Sequence, residues 1–338
     1  MIMNFEKYLN LYFKKFALKE RSTILITGAS GFISKYLIYA LLSLKKTKLK
    51  VIGVDSVKPN FSHKNFIFIK KDLTVGNLEK ILKRYKLTHI ISLAGIPSPT
   101  DYKKKPLETI YLNSELTKIL LKFCNKKKIK LTYFSSSEIY GNPIKNKIPT
   151  NENYNGNVSS IGPRSCYDES KRLGETYCYI YKKYFSVNCN IIRPFNIYGP
   201  GMKKNDERII PNFINRVYMK KNLHVFDTGK QTRTYCHIYD ATIMFLLIIF
   251  KGKDFAYNVG NPKQEISAYN LAKKLKSVCK SNVKIKLVSY PSKYPEDEPR
   301  RRCPSIKKFI KEFKFQPKIS LSNGIKNTFE NFLSKKLI

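Results

Sequence analysis

Residues 24–42, ILITGASGFISKYLIYALL, combine a short apolar run, a glycine-rich turn and an amphipathic helical pattern. Gly28 permits a tight turn after the apolar run, and Gly31 lets the backbone approach a diphosphate at the start of the helix. Ser34 is the third small residue of the pattern, where it allows the helix to pack on the strand. Free N–H groups and the helix dipole favour anions at such a helix start. The stretch therefore predicts a strand, turn and helix that bind the phosphates of a dinucleotide.

The rest of the first half alternates apolar runs with helical patterns, which is typical of a parallel sheet wound with helices. We expect strands at residues 23–27, 50–55, 65–70, 89–93, 130–136 and 188–193. We expect helices at residues 31–44, 106–127, 167–184, 211–221 and 267–278. The pattern predicts an α/β fold: a Rossmann-type doubly wound parallel sheet with a smaller, mixed α/β C-terminal domain.

Changes in this pattern suggest a division of the chain into domains. Residues 1–20 read as an N-terminal helical extension, and residues 21–200 as the dinucleotide-binding domain. Residues 201–338 are expected to form mainly a substrate-binding domain. Within them, residues 230–260 are expected to return to the first domain through strand-like pieces at 234–239 and 255–259, with 241–250 as a buried helix.

An acidic residue closes the second predicted strand. Asp55 lies where such a residue binds the ribose hydroxyls of a dinucleotide, and it favours NAD over NADP. NAD is therefore the expected cofactor.

The formal net charge of +40 in 338 residues first suggests an anionic partner such as nucleic acid, a membrane surface or a phosphorylated substrate. Only eleven of the 64 basic residues are Arg, however. Proteins that recognise nucleic-acid bases or phosphates rely on the planar guanidinium group of Arg. The Lys excess fits a solvated surface better. An RNA-binding protein on a dehydrogenase fold remains a remote alternative, without an RNA-binding aromatic motif to favour it.

Several classes of protein are disfavoured by the sequence. No apolar run reaches the roughly 18–20 residues that a bilayer span needs, so we expect no membrane association. The seven Cys are scattered and odd in number, which predicts reduced thiols in a cytoplasmic protein. The four His show no metal-ligand spacing, so we expect no metal.

A candidate catalytic pair lies in the helix that follows a serine-rich strand end. Tyr167 and Lys171 are four residues apart, so they share one helix face. A phenol is a poor base at neutral pH, and a neighbouring ammonium stabilises its phenolate form. The fifth predicted strand ends in SSSE, residues 135–138, at the sheet edge where α/β proteins bind ligands.

With these motifs the sequence resembles the extended short-chain dehydrogenase/reductase family of nucleotide-sugar epimerases, dehydratases and decarboxylases. The resemblance covers about residues 24–332 and includes TGASGFI, LAG at 93–95, SSSEIYG, YDESK and RPFNIYGPG. It implies Ser136, Tyr167 and Lys171 as catalytic residues. The cofactor-binding residues it implies are Gly28, Ser30, Gly31, Phe32, Ile33, Asp55, Asp72, Leu73, Ala94 and Lys171.

Within that family the chain resembles the UDP-glucuronate decarboxylases. The similarity lies in the pair Ser137-Glu138 and in IGPRSCYDESKR, MKKNDERIIPNFI, GKQTRTY and RRCPSI. It implies oxidation of C4 of UDP-glucuronate, loss of CO2 from the 4-keto acid and reduction to UDP-xylose. Glu138 is then a further catalytic residue, Arg302 engages the carboxylate and Arg233 the diphosphate. Ser137, Asn196 and Arg208 complete the implied substrate-binding residues.

Alternatives within the family remain open. A 4,6-dehydratase typically has an Asp-Glu pair where this chain has Ser137-Glu138, and a 4-epimerase usually has no Glu there. The helices at 106–127 and 167–184 resemble the pair that forms a four-helix dimer interface in the family, so a homodimer is expected.

Overall fold

The structure is a computed structural model that describes residues 4–12, 21–44, 48–75, 78–290 and 299–334. Strands and helices alternate along these ranges. The strands are β1 (Arg21–Thr27), β2 (Lys48–Asp55), β3 (Phe66–Lys70), β4 (His89–Ser92), β5 (Lys130–Phe134), β6 (Cys189–Pro194), β7 (Ile197–Tyr198), β8 (Leu223–Phe226), β9 (Thr232–Thr234), β10 (Cys236–His237), β11 (Ala256–Val259), β12 (Glu265–Ser267), β13 (Ile285–Val288) and β14 (Arg301–Arg302). The helices are α1 (Phe5–Asn10), α2 (Phe32–Leu42), α3 (Glu79–Arg84), α4 (Pro99–Lys104), α5 (Pro106–Asn113), α6 (Glu115–Lys127), α7 (Ser165–Phe185), α8 (Ile209–Tyr218), α9 (Ile238–Lys251), α10 (Ala268–Val278), α11 (Lys307–Phe313) and α12 (Leu321–Ser334).

A parallel sheet, seven-stranded within the described residues, runs in the order β11-β6-β5-β4-β1-β2-β3. Every neighbouring pair in it is parallel. The order reverses between β1 and β4, and the crevice at the carboxyl ends of strands beside such a reversal is where α/β sheets bind ligands. The predicted Rossmann-type doubly wound fold is confirmed.

The strands of this sheet are buried on both faces. In β1, Ile24 and Ile26 pack into a core shared with α2 and α9. Leu25 between them points to the opposite face, into a core shared with α6 and α7. Successive side chains of a strand alternate between faces, so a run of buried apolar residues fills both layers.

A smaller mixed α/β region follows the sheet. It has a three-stranded sheet, β12-β9-β14, and a parallel pair, β13-β8. Helices α8, α10 and α12 pack around a core of their own there. Where the domain boundaries lie stays a prediction.

One predicted helix was wrong. The single helix at 106–127 is two helices, α5 and α6, which meet at Ser114, where φ of −114° and ψ of −68° depart from those of a regular helix. The piece at 234–239 does not pair with the main sheet, although Cys236, Ile238 and Tyr239 are buried in the core that β1 and α2 share. It contributes to β9, to β10, which pairs with β7, and to the start of α9. Residues 256–259 do join the main sheet, as β11 beside β6.

Helix α1 of the N-terminal extension is packed onto the fold. Its side chains Phe5, Tyr8 and Leu9 are buried in the core shared with α2 and α9. The Tyr8 hydroxyl donates to the Asp240 carboxylate over 2.5 Å, and that carboxylate also accepts from backbone N–H groups of the segment before α12. Asp240 therefore ties α1 to two other parts of the chain. The rest of the predicted extension, residues 1–3 and 13–20, lies outside the described residues.

Two observations bear on the expected cellular location. None of the helices in the described ranges is long and apolar enough to cross a membrane. The seven cysteines all lie in those ranges and are free thiols there. The cytoplasmic location stays a prediction.

The bond between Tyr8 and Asp240 leads to a test of the N-terminal helix. Tyr8→Phe should lower the free energy of unfolding by about 1.5–3 kcal/mol, because a buried hydrogen bond to a charged acceptor is lost. Chemical denaturation measures the change, and Tyr184→Phe, at an exposed tyrosine of α7, is the matched control. Equal stability of the Tyr8 variant, the control and the unmodified chain would contradict the role of α1.

Candidate active site

The glycine turn after β1 forms a cradle that admits no side chain. Gly28 has φ of +70°, and a Cβ there would lie 2.8 Å from the Cα of Ala94. Gly31 is the N-cap of α2, and a Cβ on it would lie 3.2 Å from the carbonyl oxygen of Gly28. A side chain at either glycine would crowd the turn in front of the first N–H groups of α2, so these residues fit the diphosphate of NAD.

Asp55 lies beside this turn at the end of β2. Its carboxylate accepts hydrogen bonds from the backbone N–H groups of Ser30, over 2.9 Å, and Val57, over 3.1 Å. The Ser30 hydroxyl donates to the carbonyl of Val57. These contacts fix the carboxylate next to the cradle, where a ribose hydroxyl of a bound dinucleotide would reach it.

The remaining cofactor residues predicted from sequence follow the same sheet edge. Phe32 and Ile33 open α2 and pack against the core behind the cradle. Asp72 and Leu73 follow β3, with Leu73 buried. Both hydrogen bonds from Thr74 to the Asp72 carboxylate lower the pKa of Asp72, so it is held as an anion.

The predicted catalytic residues come together behind the carboxyl end of β5. Lys171 Nζ donates to the carbonyl oxygen of Phe134, the last residue of β5, over 2.7 Å. The same atom lies 5.9 Å from the centre of the Tyr167 ring. A hydrogen bond joins Ser136 and Tyr167. The structure thus places Ser136, Tyr167 and Lys171 around one spot at the sheet edge.

Burial shapes the protonation of this group. Burial raises the pKa of Tyr167 well above its usual value, and the hydrogen bond with Ser136 opposes that shift. Burial lowers the pKa of Lys171 to about 7. Without ligand, Tyr167 therefore keeps its proton at neutral pH, and Lys171 changes between its charged and neutral forms near pH 7.

A second aromatic ring holds Tyr167 in place. The buried ring of Tyr102, in α4, stacks on the Tyr167 ring with centroids 5.3 Å apart and planes inclined by 19°. Offset stacking of this kind restricts the side chain to one orientation. Sequence reasoning missed Tyr102, because α4 was not predicted and the contact joins residues 65 positions apart.

Glu138 is the centre of a buried ionic cluster. Its carboxylate accepts from both terminal nitrogens of Arg302, one of them over 2.8 Å, and from Arg164. Arg164 Nε also donates to Asp168 Oδ2 over 3.3 Å. We call Glu138, Arg164, Asp168 and Arg302 the ionic cluster, and its members are 3–19% exposed at their side chains.

The two carboxyl groups of the ionic cluster titrate differently. Burial alone would raise the pKa of Glu138, but the charges of Arg302 and Arg164 hold it below its usual value. Burial raises the pKa of Asp168 to about 7, assisted by the Glu138 charge and opposed by Arg164. Glu138 is therefore the anion of the pair, and Asp168 exchanges its proton near neutral pH.

Arg302 and its chain neighbour have opposite surroundings. Arg302 is 2% exposed and faces Glu138, whereas Arg301 pairs with Glu265 and its side chain is 43% exposed. Adjacent residues of a strand point to opposite sides, which explains the difference. Arg233 lies opposite Arg302 in the register of β9 with β14 and is also buried.

The other predicted substrate residues are spread more widely. Ser137 is buried next to Glu138. The side-chain amide of Asn196 donates one hydrogen bond to the carbonyl of Thr234 over 3.0 Å. Arg208 is bound by Asp206, and its side chain is 41% exposed, outside the ionic cluster. Its charge nevertheless lowers the pKa of Tyr167.

Sequence reasoning also missed Arg164 and Asp168. A signal was present, because Arg164 and Asp168 are four residues apart and flank Tyr167, so they share a face at the start of α7. What the sequence could not show was that Glu138, from another element, lies against them.

Comparison with known proteins identifies the family. The sequence model of the NAD dependent epimerase/dehydratase family matches residues 24–260. UDP-glucuronic acid decarboxylase 6 of Arabidopsis thaliana is 33% identical over 91% of this chain and 88% of its own length. UDP-glucuronic acid decarboxylase 1 of Xenopus tropicalis is 32% identical over 93% of this chain and 73% of its own length.

Solved structures share the fold. UDP-glucose 4-epimerase of Thermotoga maritima, solved with UDP-glucose, has a TM-score of 0.82 at 22% identity over 93% of this chain and 99% of its own. UDP-glucuronic acid 4-epimerase of Bacillus cereus, solved with UDP-glucuronic acid and NAD, has a TM-score of 0.77 at 26% identity over 93% of this chain and 100% of its own. The predicted family and the NAD cofactor are confirmed: this chain belongs to the NAD dependent epimerase/dehydratase family of enzymes.

Proposed function

We propose that the chain is an NAD-dependent nucleotide-sugar decarboxylase that converts UDP-glucuronate to UDP-xylose. The observation that carries the proposal is the ionic cluster beside Ser136 and Tyr167, since its buried guanidinium groups suit a sugar that bears a carboxylate. The names of the relatives in plants and animals support the same reaction.

The residues around Tyr167 suit oxidation at C4. When bound, NAD supplies a reversible hydride acceptor. Tyr167 Oη takes the proton of the C4 hydroxyl, and the ammonium of Lys171 stabilises the phenolate that this proton transfer requires. Ser136, hydrogen-bonded to Tyr167, orients the hydroxyl that reacts.

The ionic cluster suits the step that follows. A 4-keto glucuronosyl group is a β-keto acid, whose ketone accepts the electron pair released when the carboxylate leaves as CO2. Arg302 orients the carboxylate, and Glu138, held by Arg164, is an acid/base or orienting group next to it. Arg233 would bind the diphosphate. This chemistry needs no metal.

A UDP-glucuronate 4-epimerase is the second candidate. It is favoured by the structural likeness to the Bacillus cereus enzyme that carries that name. Such an enzyme would bind the same substrate but keep its carboxylate. A 4,6-dehydratase is a weaker alternative, because Ser137 stands where an acidic Asp is expected.

The mass of the product distinguishes these reactions. With NAD and UDP-glucuronate, the chain should release CO2 and form a product that is lighter by that mass. Epimerisation would leave the mass unchanged, and dehydration of a UDP- or dTDP-hexose would remove water. Tyr167→Phe should lower turnover by about 10²–10⁴-fold, because the general base is lost. Tyr177→Phe, on the same helix but bonded to Glu115, should remain active.

Substitutions at Arg302 and at its neighbour Arg301 form a matched pair that tests whether Arg302 binds the carboxylate of UDP-glucuronate. Arg302→Gln should weaken UDP-glucuronate binding by about 2 kcal/mol, roughly thirtyfold, more than it weakens UDP-glucose binding. Arg301→Gln breaks an ion pair with Glu265 instead and should affect neither ligand. Equal losses for both ligands in the Arg302 variant would argue against carboxylate recognition.

We further infer that the chain forms a homodimer through α5, α6 and α7. Helix α7 packs against both other helices, and the three expose apolar side chains at Leu107, Ile110, Ile119 and Leu173. Clusters of exposed apolar residues are typical of protein interfaces, and a second copy of this chain is the partner that the family resemblance implies.

The double substitution Leu107→Glu with Leu173→Glu should therefore convert dimer to monomer, because it places charge in the interface. Light scattering after size exclusion gives the mass, and Leu287→Glu, at an exposed leucine of β13, is the control. A monomeric unmodified chain, or a dimeric double variant, would reject this interface.

A further inference from the structure

Above about pH 7 the ionic cluster pairs two guanidinium groups with two carboxylates before any substrate enters. Within the described residues it joins the guanidinium groups of Arg164 and Arg302 to the carboxyl groups of Glu138 and Asp168. The side chains of Arg302, Arg164 and Asp168 are 3%, 5% and 6% exposed. Water can therefore do little to screen a further charge placed among them.

A substrate carboxylate would disturb this balance. If it binds beside Arg302, as we propose for UDP-glucuronate, three carboxyl groups share two guanidinium groups. An unpaired buried charge is costly, and such a site usually gains or loses a proton instead. Arg233 is the next cation that acts on Glu138, but in the proposed function it serves the diphosphate of the same ligand.

The contacts show which carboxyl group is the better proton acceptor. Glu138 is held by both guanidinium groups. Asp168 has a single bond of 3.3 Å from Arg164, and its Oδ1 is buried without a hydrogen-bond partner among the described residues. The other titratable groups that act with Asp168 are Tyr167 and Cys166 of its own helix. Asp168 is thus the less stabilised anion.

We propose that Asp168 takes up one proton from solvent when a nucleotide sugar with a carboxylate binds beside Arg302. The inference rests on the proposed function and adds to it a proton-coupled selection for acidic sugars. Protonated Asp168 restores the balance of two cations and two anions, because Glu138 and the substrate carboxylate then face Arg164 and Arg302. A neutral sugar leaves the cluster unchanged and needs no proton.

The affinity for UDP-glucuronate should fall as the pH rises, because binding requires Asp168 to be protonated. The pKa of Asp168 is raised by burial to about 7 without ligand, and binding raises it further. Below that pH Asp168 already carries its proton, so affinity for UDP-glucuronate should be level. Above it the proton must be taken up, and affinity should fall by up to about tenfold per pH unit. UDP-glucose should lack this fall, apart from any that both ligands share through Lys171.

Calorimetry measures the proton directly. The chain carrying Tyr167→Phe, loaded with NAD so that ligand binds without turnover, is titrated at about pH 8 in two buffers of different ionisation enthalpy. UDP-glucuronate should take up close to one proton more than UDP-glucose does. Using the difference between the two ligands cancels any proton that Lys171 gains on binding the shared nucleotide.

Two variants in the same background assign the proton. Asp168→Asn mimics the protonated acid, so the extra uptake should vanish and UDP-glucuronate should bind more tightly than before at about pH 8. A gain in affinity cannot arise from misfolding. Glu169→Gln changes the next residue, which pairs with Arg172 at the surface, and should leave the uptake intact.

The outcomes separate the two proposals. Binding of UDP-glucuronate with the same proton count as UDP-glucose would overturn the role of Asp168 and leave the proposed function standing. Extra uptake that persists in Asp168→Asn would also overturn it, because another group then takes the proton. Failure of UDP-glucuronate to bind at all would overturn both.

Discussion

The contact of Glu138 with Arg302 and Arg164 is the interaction on which the candidate site depends. It joins the turn after β5, the residue before α7 and the short strand β14, which lie far apart in the sequence. Removal of one partner from a buried ion pair leaves an uncompensated charge, at a cost of about 3–5 kcal/mol. The contact therefore holds β14 against the turn after β5 and places two guanidinium groups there, where we propose that an acidic ligand binds.

Helix α7 connects this cluster to the proton-transfer group. In its first two turns it carries Tyr167 and Lys171, which face the end of β5, and Asp168, which bonds Arg164. A rigid helix holds these side chains in fixed relation, so that a change of charge around Asp168 is felt at Tyr167. In the proposed reaction, α7 then supports both the oxidation at C4 and the binding of the substrate carboxylate.

The sequence was sufficient for the parts of the structure that follow from local patterns. The glycine turn at Gly28 and the pair Tyr167 and Lys171 lie where their spacing predicted. Contacts between distant residues were beyond such patterns. The bond of Arg164 to Glu138 spans 26 positions, and only the pairing of β14 with β9 turns Arg302, rather than Arg301, toward the site. The break between α5 and α6 is a local distortion of the backbone at Ser114 that helical periodicity does not reveal.

When UDP-glucuronate binds as proposed, the guanidinium of Arg302 exchanges part of its contact with Glu138 for the carboxylate of the substrate. A crystal structure of the Tyr167→Phe chain with NAD and UDP-glucuronate would reveal this exchange. The substrate carboxylate should lie within hydrogen-bond distance of Arg302, with Glu138 still bound by Arg164. A carboxylate directed to solvent, with the pair of Glu138 and Arg302 unchanged, would contradict it.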